Sequence, residues 1–108
     1  MSFSIILVDS FVKELKRLNK KYPSIKSDLT LLGQQLLDDP KSGTPVGNDC
    51  YKIRIAITSK GKGKSGGARV ITHVLIQEET IYMLSIYDKS DAETVSEEDI
   101  LKRIKSIK

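Results

Sequence analysis

The chain has 108 residues, a formal net charge of +4, 39% hydrophobic and 30% charged side chains, and one cysteine. That size fits one compact domain spanning 1–108 with one modest core, and leaves no room for a second. A lone cysteine excludes an internal disulfide and a cysteine-rich metal site, and no apolar run approaches the roughly 20 residues that span a bilayer.

The opening MSFSIILVDSF has neither a basic n-region nor a small-residue cleavage site, so it reads as a first strand and makes a cytoplasmic location the expectation. Ser4 to Val8 is a short apolar run ending at Asp9 and Ser10, either of which can cap a helix. Phe11, Leu15, Leu18 and Tyr22 then recur at helical spacing, with Lys13, Lys16, Arg17, Lys20 and Lys21 mostly on the other side: an amphipathic helix with a basic outer face. Pro23 suits the first turn of a second helix, whose stripe is Ile25, Leu29, Leu32 and Leu36 and whose end is set near Asp39 by Pro40. Two helices joined so tightly form a hairpin, and the leucine stripe needs a sheet to cover.

Lys41 to Cys50 collects Gly43, Pro45, Gly47, Asn48 and Asp49 and reads as a surface loop. Beyond it the period changes to two. Tyr51, Ile53, Ile55 and Ile57 alternate with Lys52, Arg54 and Ala56, putting two cations about 7 Å apart on one face. After the SKGKGKSGG loop, Ala68 to Ile76 alternates again, and if Val70, Thr72, Val74 and Ile76 face the helices, Arg69 and His73 join Lys52 and Arg54 on the opposite face. Ile81 to Tyr87 is nearly all apolar, as in a central strand. Ser96 with Asp99 resembles a capping box and opens a final helix striped by Ile100, Leu101, Ile104 and Ile107. The whole is an α+β domain of order β-α-α-β-β-β-α, with an antiparallel-dominated sheet packed on a helical hairpin.

The segment from Tyr51 to Gln77 holds six cations (Lys52, Arg54, Lys60, Lys62, Lys64 and Arg69) and no Asp or Glu, against a whole-chain charge of +4, so the rest of the chain is net negative. Such a local patch is the footprint of a phosphate-rich partner. Lys60, Lys62 and Lys64 sit among glycines, as expected of a mobile loop that orders on an anion or of an ordinary hairpin tip. The loop's GKS is not a nucleotide-binding P-loop, since no glycine lies five positions before Gly63 and a strand follows. Cys50 reads as structural.

The element order, the YKIRIAI strand, the GKGKSGGARVI segment, the strand ending SIYDKS and the closing capped helix together resemble the RelE/ParE superfamily of toxins. The GKSGG-R-V-I and IY-x-K elements are most similar to its HigB-like branch. The resemblance covers nearly the whole chain and implies a toxin that cuts messenger RNA on the translating ribosome and is held inactive by a cognate antitoxin, with no metal, no small-molecule cofactor and no membrane partner. Superfamily members directed at DNA gyrase share the fold without being nucleases, so a noncatalytic ParE-like toxin or a decayed binding module is the alternative.

RNA cleavage needs a base for the 2′-hydroxyl, cations for the developing phosphorane charge and an acid for the leaving 5′-oxygen. The resemblance matches Lys52, Arg54, Arg69 and Lys89 to basic positions of the ribonucleolytic members. Arg54 and Arg69, read as exposed strand cations, take the phosphate and transition-state contacts because a guanidinium pairs with phosphate bidentately, which leaves Lys52 as candidate base. The tyrosine that RelE carries at the segment leading into the last helix is replaced by Val95, and Tyr87 or His73 is the candidate substitute.

Overall fold

The computed structural model describes residues 2–61, 63–91 and 95–107. They form strands β1 (Ser4–Leu7), β2 (Thr44–Gly47), β3 (Cys50–Ile55), β4 (Ala68–Leu75) and β5 (Thr80–Asp88), with helices α1 (Asp9–Lys21), α2 (Ile25–Asp38) and α3 (Glu97–Ser106). The strands make one sheet in the order β1-β5-β4-β3-β2, in which β1 runs parallel to β5 and the other neighbours are antiparallel. The expected α+β order holds with one addition. Lys41 to Cys50 is not wholly loop: Thr44–Gly47 pairs with β3 as an edge strand, while Gly47, Asn48 and Asp49 take left-handed backbone (φ 87°, 56° and 58°) to make the turn into β3.

The helical hairpin covers one face of the sheet. Phe11 and Leu18 of α1 and Ile25, Leu32 and Leu36 of α2 are buried against Ile53, Ile55, Val70, Val74, Ile81, Met83 and Ile86, so the alternation read from β3 and β4 points the right residues inward. Two end signals act differently from expectation. Val8 is the cap residue of α1 and no side chain caps it; Asp9 lies inside the first turn, where its charge suits the helix dipole, and the Ser10 hydroxyl donates to the Leu84 carbonyl at 3.3 Å. Pro23 belongs to the link before α2 rather than to its first turn.

The other face is covered in part by α3. Its Ile100 is buried on Cys50, Ile71 and Leu84, with Tyr82, Val95, Ile104 and Ile107 packed around them. One fully buried isoleucine stabilises by only about 1.5–3 kcal/mol, so α3 relies on polar ties as well. The Ser96 side chain accepts the Asp99 N–H at 3.1 Å, realising the expected cap. Arg103 binds Glu14 of α1 through both terminal nitrogens (2.8 and 3.0 Å) and donates to the Leu84 carbonyl at 2.7 Å, while Glu14 accepts the Ile86 N–H at 3.2 Å. These bonds satisfy backbone groups of β5 beyond the end of β1 and fasten α3 to α1 across that edge.

Two glycines differ sharply in what a side chain would meet. A Cβ at Gly67 would stand 2.1 Å from the Ile55 carbonyl oxygen, whereas one at Gly33, inside α2, would make an ordinary 3.8 Å contact with Ile5. Gly67→Ala is therefore expected to destabilise by about 1–3 kcal/mol. Gly33→Ala is expected to stabilise by about 0.5–1 kcal/mol, because alanine is the better helix former. Urea denaturation of the two variants checks both signs.

Candidate functional site

Strand register brings the cations together. Arg54 lies directly opposite Arg69, and Arg69 directly opposite Tyr87, so the three form one row across β3, β4 and β5. Lys52 belongs to the next row with Ile71 and Ser85, and Cys50, His73 and Tyr82 to the row beyond. The expected convergence of Lys52, Arg54, Arg69 and His73 on one face is thus observed. Tyr87 joins them through a bulge: the register slips between Ile71 and Thr72, which leaves Leu84 unmatched and places both Tyr82 and Tyr87 on the cationic face although they are an odd five positions apart.

The face is not uniform. Helix α3 packs on the rows of Cys50 and Ile71, and in the row beyond them Arg54 is exposed. His73 is 6% exposed, and its partners are the Cys50 sulfur at 3.5 Å from Nδ1 and the Tyr82 ring. It lies four residue steps along β4 from Arg69, about 13 Å. This is a correction: His73 shares the face but is buried apart from the Arg54–Tyr87 row. The Cys50–His73 contact was invisible in the sequence, and it does not make a nucleophile. Burial, with the nearby Asp49 charge, pushes the Cys50 thiol up to about 11, so it stays protonated near neutral pH.

Arg54 is exposed and Lys52 half-buried, but Arg69 is only 3% exposed, against the expectation of an exposed strand cation. Two like charges directly opposite on adjacent strands repel. The arrangement relieves this by turning the Arg69 guanidinium into the loop. Its Nη1 donates to the carbonyls of Lys64 (2.9 Å) and Ala68 (3.1 Å), and its Nη2 to that of Ser65 (3.1 Å). Arg69 has no carboxylate partner among the described residues.

The loop cations also separate. Lys62 lies outside the described residues. Lys64 is exposed and lines, with Arg54, a hollow of about 180 Å³ beside α2. Lys60 is a correction to the picture of a free loop cation: its ammonium is 2.7 Å from both Asp88 Oδ1 and Ser90 Oγ, and its side chain is 10% exposed. Tyr22 of α1 donates its hydroxyl to Asp88 Oδ2 at 2.5 Å. Burial alone would raise the Asp88 carboxyl, yet the hydrogen bonds from Lys60, Tyr22 and the Ser90 amide outweigh it and hold the group well below the usual carboxylate range. Thr58 and Ser59, in a short helical turn before Lys60, bond to Asp28 and Ser24 at the start of α2.

Tyr87 is 8% exposed, and its hydroxyl has no hydrogen-bond partner among the described residues. It lines a cleft of about 500 Å³ together with Val95, Asp91 and Arg17. The valine that stands where the resemblance placed a tyrosine is therefore next to another tyrosine. Lys89 is exposed just past β5, where its N–H donates to the Gly67 carbonyl at 3.1 Å. Among the described residues, no three His, Cys, Asp or Glu side chains converge as a metal site would require.

A five-stranded sheet with one parallel edge strand, a helical hairpin on one face and a capped terminal helix on the other is the fold of the RelE toxins. The chain matches a free-state arginine-to-alanine double variant of Escherichia coli toxin RelE with a TM-score of 0.65 and 18% identity, over 100% of both chains. It also matches the intact E. coli RelBE toxin–antitoxin complex (TM-score 0.59, 18% identity, 82% of this chain and 96% of that one). A third match is a metal-bound toxin from Helicobacter pylori (TM-score 0.50, 16% identity, 84% and 98%). No protein-family model matches the sequence.

The Asp88 cluster carries a pH signature. Because the folded-state carboxyl titrates below its ordinary value near pH 4, its stabilisation is fully present above that value and is lost as the pH falls below it. Asp88→Asn should cost about 3 kcal/mol at neutral pH, since it leaves Lys60 unpaired, and should flatten the acid limb of stability against pH. Urea titrations in a pH series test this; an acid limb as steep in the variant as in the parent would assign that limb to other carboxyls.

Proposed function

We propose that this chain is the toxin of a type II toxin–antitoxin pair, of the HigB-like branch, and an endoribonuclease that cuts translated messenger RNA on the ribosome. The observation that carries the reading is Arg54, exposed on the strand face beside the half-buried Lys52 and in one row with the buried Arg69 and Tyr87. An acid-free segment whose strand carries Lys52 and Arg54 on one face, with Lys64 of the following loop beside Arg54, is suited to a polyanion rather than to a protein groove. A cognate antitoxin is the expected protein partner, mRNA and ribosomal RNA the expected nucleic-acid partners, and the cytoplasm the expected location.

In this reading Arg54 holds the scissile phosphate and opposes the charge that develops on it, while Lys52, about 7 Å along the strand, is the candidate base for the 2′-hydroxyl. Tyr87 is the candidate acid for the leaving 5′-oxygen, since its hydroxyl, buried and without a partner among the described residues, lies in the same row as Arg54. Lys89 adds positive charge at the end of β5. His73, buried beside Cys50 and Tyr82, takes no part.

A noncatalytic toxin on the same fold is the second reading. It is favoured by the Arg69 guanidinium being occupied by loop carbonyls and by valine at position 95. Mapping of new RNA 5′ ends minutes after induction in a bacterium separates the two. The nuclease reading expects new ends inside translated frames that disappear with Arg54→Ala and fall about a hundredfold, the lower range for one proton-transfer group, with Tyr87→Phe. Growth arrest without new ends would establish the second reading.

A further inference from the structure

Among the described residues, Lys60 and Arg69, which flank the loop before β4, have their charged groups turned inward. Lys60 is fixed to Asp88 and Ser90, and Arg69 holds the carbonyls of Lys64 and Ser65. Residues 64–67 form a closed turn: the Gly67 N–H reaches the Lys64 carbonyl at 3.4 Å, and the Gly67 carbonyl accepts the Lys89 N–H. A Cβ at Gly67 would also stand 3.1 Å from the Gly63 carbonyl oxygen. What this folded turn presents outward is Lys64, beside Arg54.

We propose that Arg69 is a positioning residue, not a phosphate contact: it fixes the turn that carries Lys64, with Lys60 anchoring the turn's other end, and Lys64, Arg54 and Lys52 are the cations that touch RNA. The proposal rests on the RNA-directed reading above. Its physical basis is donor allocation. Both Nη1 hydrogens and one Nη2 hydrogen of Arg69 are spent on carbonyls, so the end-on fork of its two terminal nitrogens is already occupied, and the Nε–H and remaining Nη2–H belong to a residue only 3% exposed. Arg54 directly opposite is exposed and keeps its fork.

The test is a double-mutant cycle in RNA binding by the purified full chain, read by fluorescence anisotropy with a short 2′-O-methyl oligoribonucleotide that cannot be cleaved, over a salt series. If Arg69 acts through Lys64, Arg69→Met weakens binding at least several-fold in the parent but adds nothing once Lys64→Ala is present. The slope of log K against log salt should then fall by about 0.7 for Lys64→Ala and no further in the double variant. Additive losses, with a further fall of about 0.7, would mean that Arg69 touches phosphate and would overturn the proposal. So would unchanged affinity in Arg69→Met, which would leave Arg69 a merely structural residue. Should Arg69→Met fail to fold, Lys60→Met in the same cycle carries the test, with the same non-additivity expected. A parent chain that binds no RNA would defeat the RNA-directed reading itself. The positioning role is then decided by hydrogen exchange at residues 64–67, where unchanged protection in Arg69→Lys would overturn it.

Discussion

Two arginines facing each other on neighbouring strands are an unfavourable pair, and much of this molecule is arranged around that pair. The repulsion is relieved by sending one guanidinium inward to backbone carbonyls and leaving the other in solvent. Once Arg69 has turned inward, the 64–65 backbone must come to it, and the loop folds over the end of β4 rather than extending from it. Gly67 follows from this closure, because the chain passes too near the Ile55 carbonyl for any Cβ. The Lys60–Asp88–Tyr22 cluster secures the other end and joins the loop to α1.

The same sheet face serves two purposes, and α3 draws the line between them. One end is a second small core built on Cys50, Ile71, Leu84 and Ile100, with His73 buried beside Cys50; the other end keeps Arg54 exposed. The helix is held by little apolar area and by the Arg103 bonds to Glu14, Asp99 and the Leu84 carbonyl, so its placement depends on charge-assisted hydrogen bonds as well as on packing. Tyr87 stands at this boundary, buried enough to be oriented and without a partner for its hydroxyl among the described residues.

Most of the architecture was legible because it follows from period. The spacing of Phe11, Leu15 and Leu18, and the alternation of Tyr51 to Ile57, fix which side of each element is buried, and the sheet face shared by Lys52, Arg54 and Arg69 follows from that alternation. The edge strand β2 was hidden by its own turn residues, since a proline and two glycines in and just before a strand with three paired residues look like a loop. The bulge at Leu84 was hidden because a continuous apolar run has no alternation to interrupt, and without that extra residue Asp88 rather than Tyr87 would face the cations. The inward turn of Arg69 and the capture of Lys60 were hidden for another reason: their partners are backbone carbonyls and a carboxylate 28 residues away, which no local pattern marks. His73 was placed on the correct face, yet its burial beside Cys50 and Tyr82 is tertiary.

The central claim is that the Arg54-bearing end of this face cuts RNA held in a ribosome. Primer extension on a defined messenger in purified, programmed ribosomes, with the parent chain and Arg54→Ala added in equal amounts, tests it most directly. The account predicts a new RNA 5′ end within the ribosome-covered codons for the parent and about a hundredfold or greater loss of it for the variant, the size of removing one preorganised donor from a transition state. Cleavage of equal strength and position by the variant would contradict it.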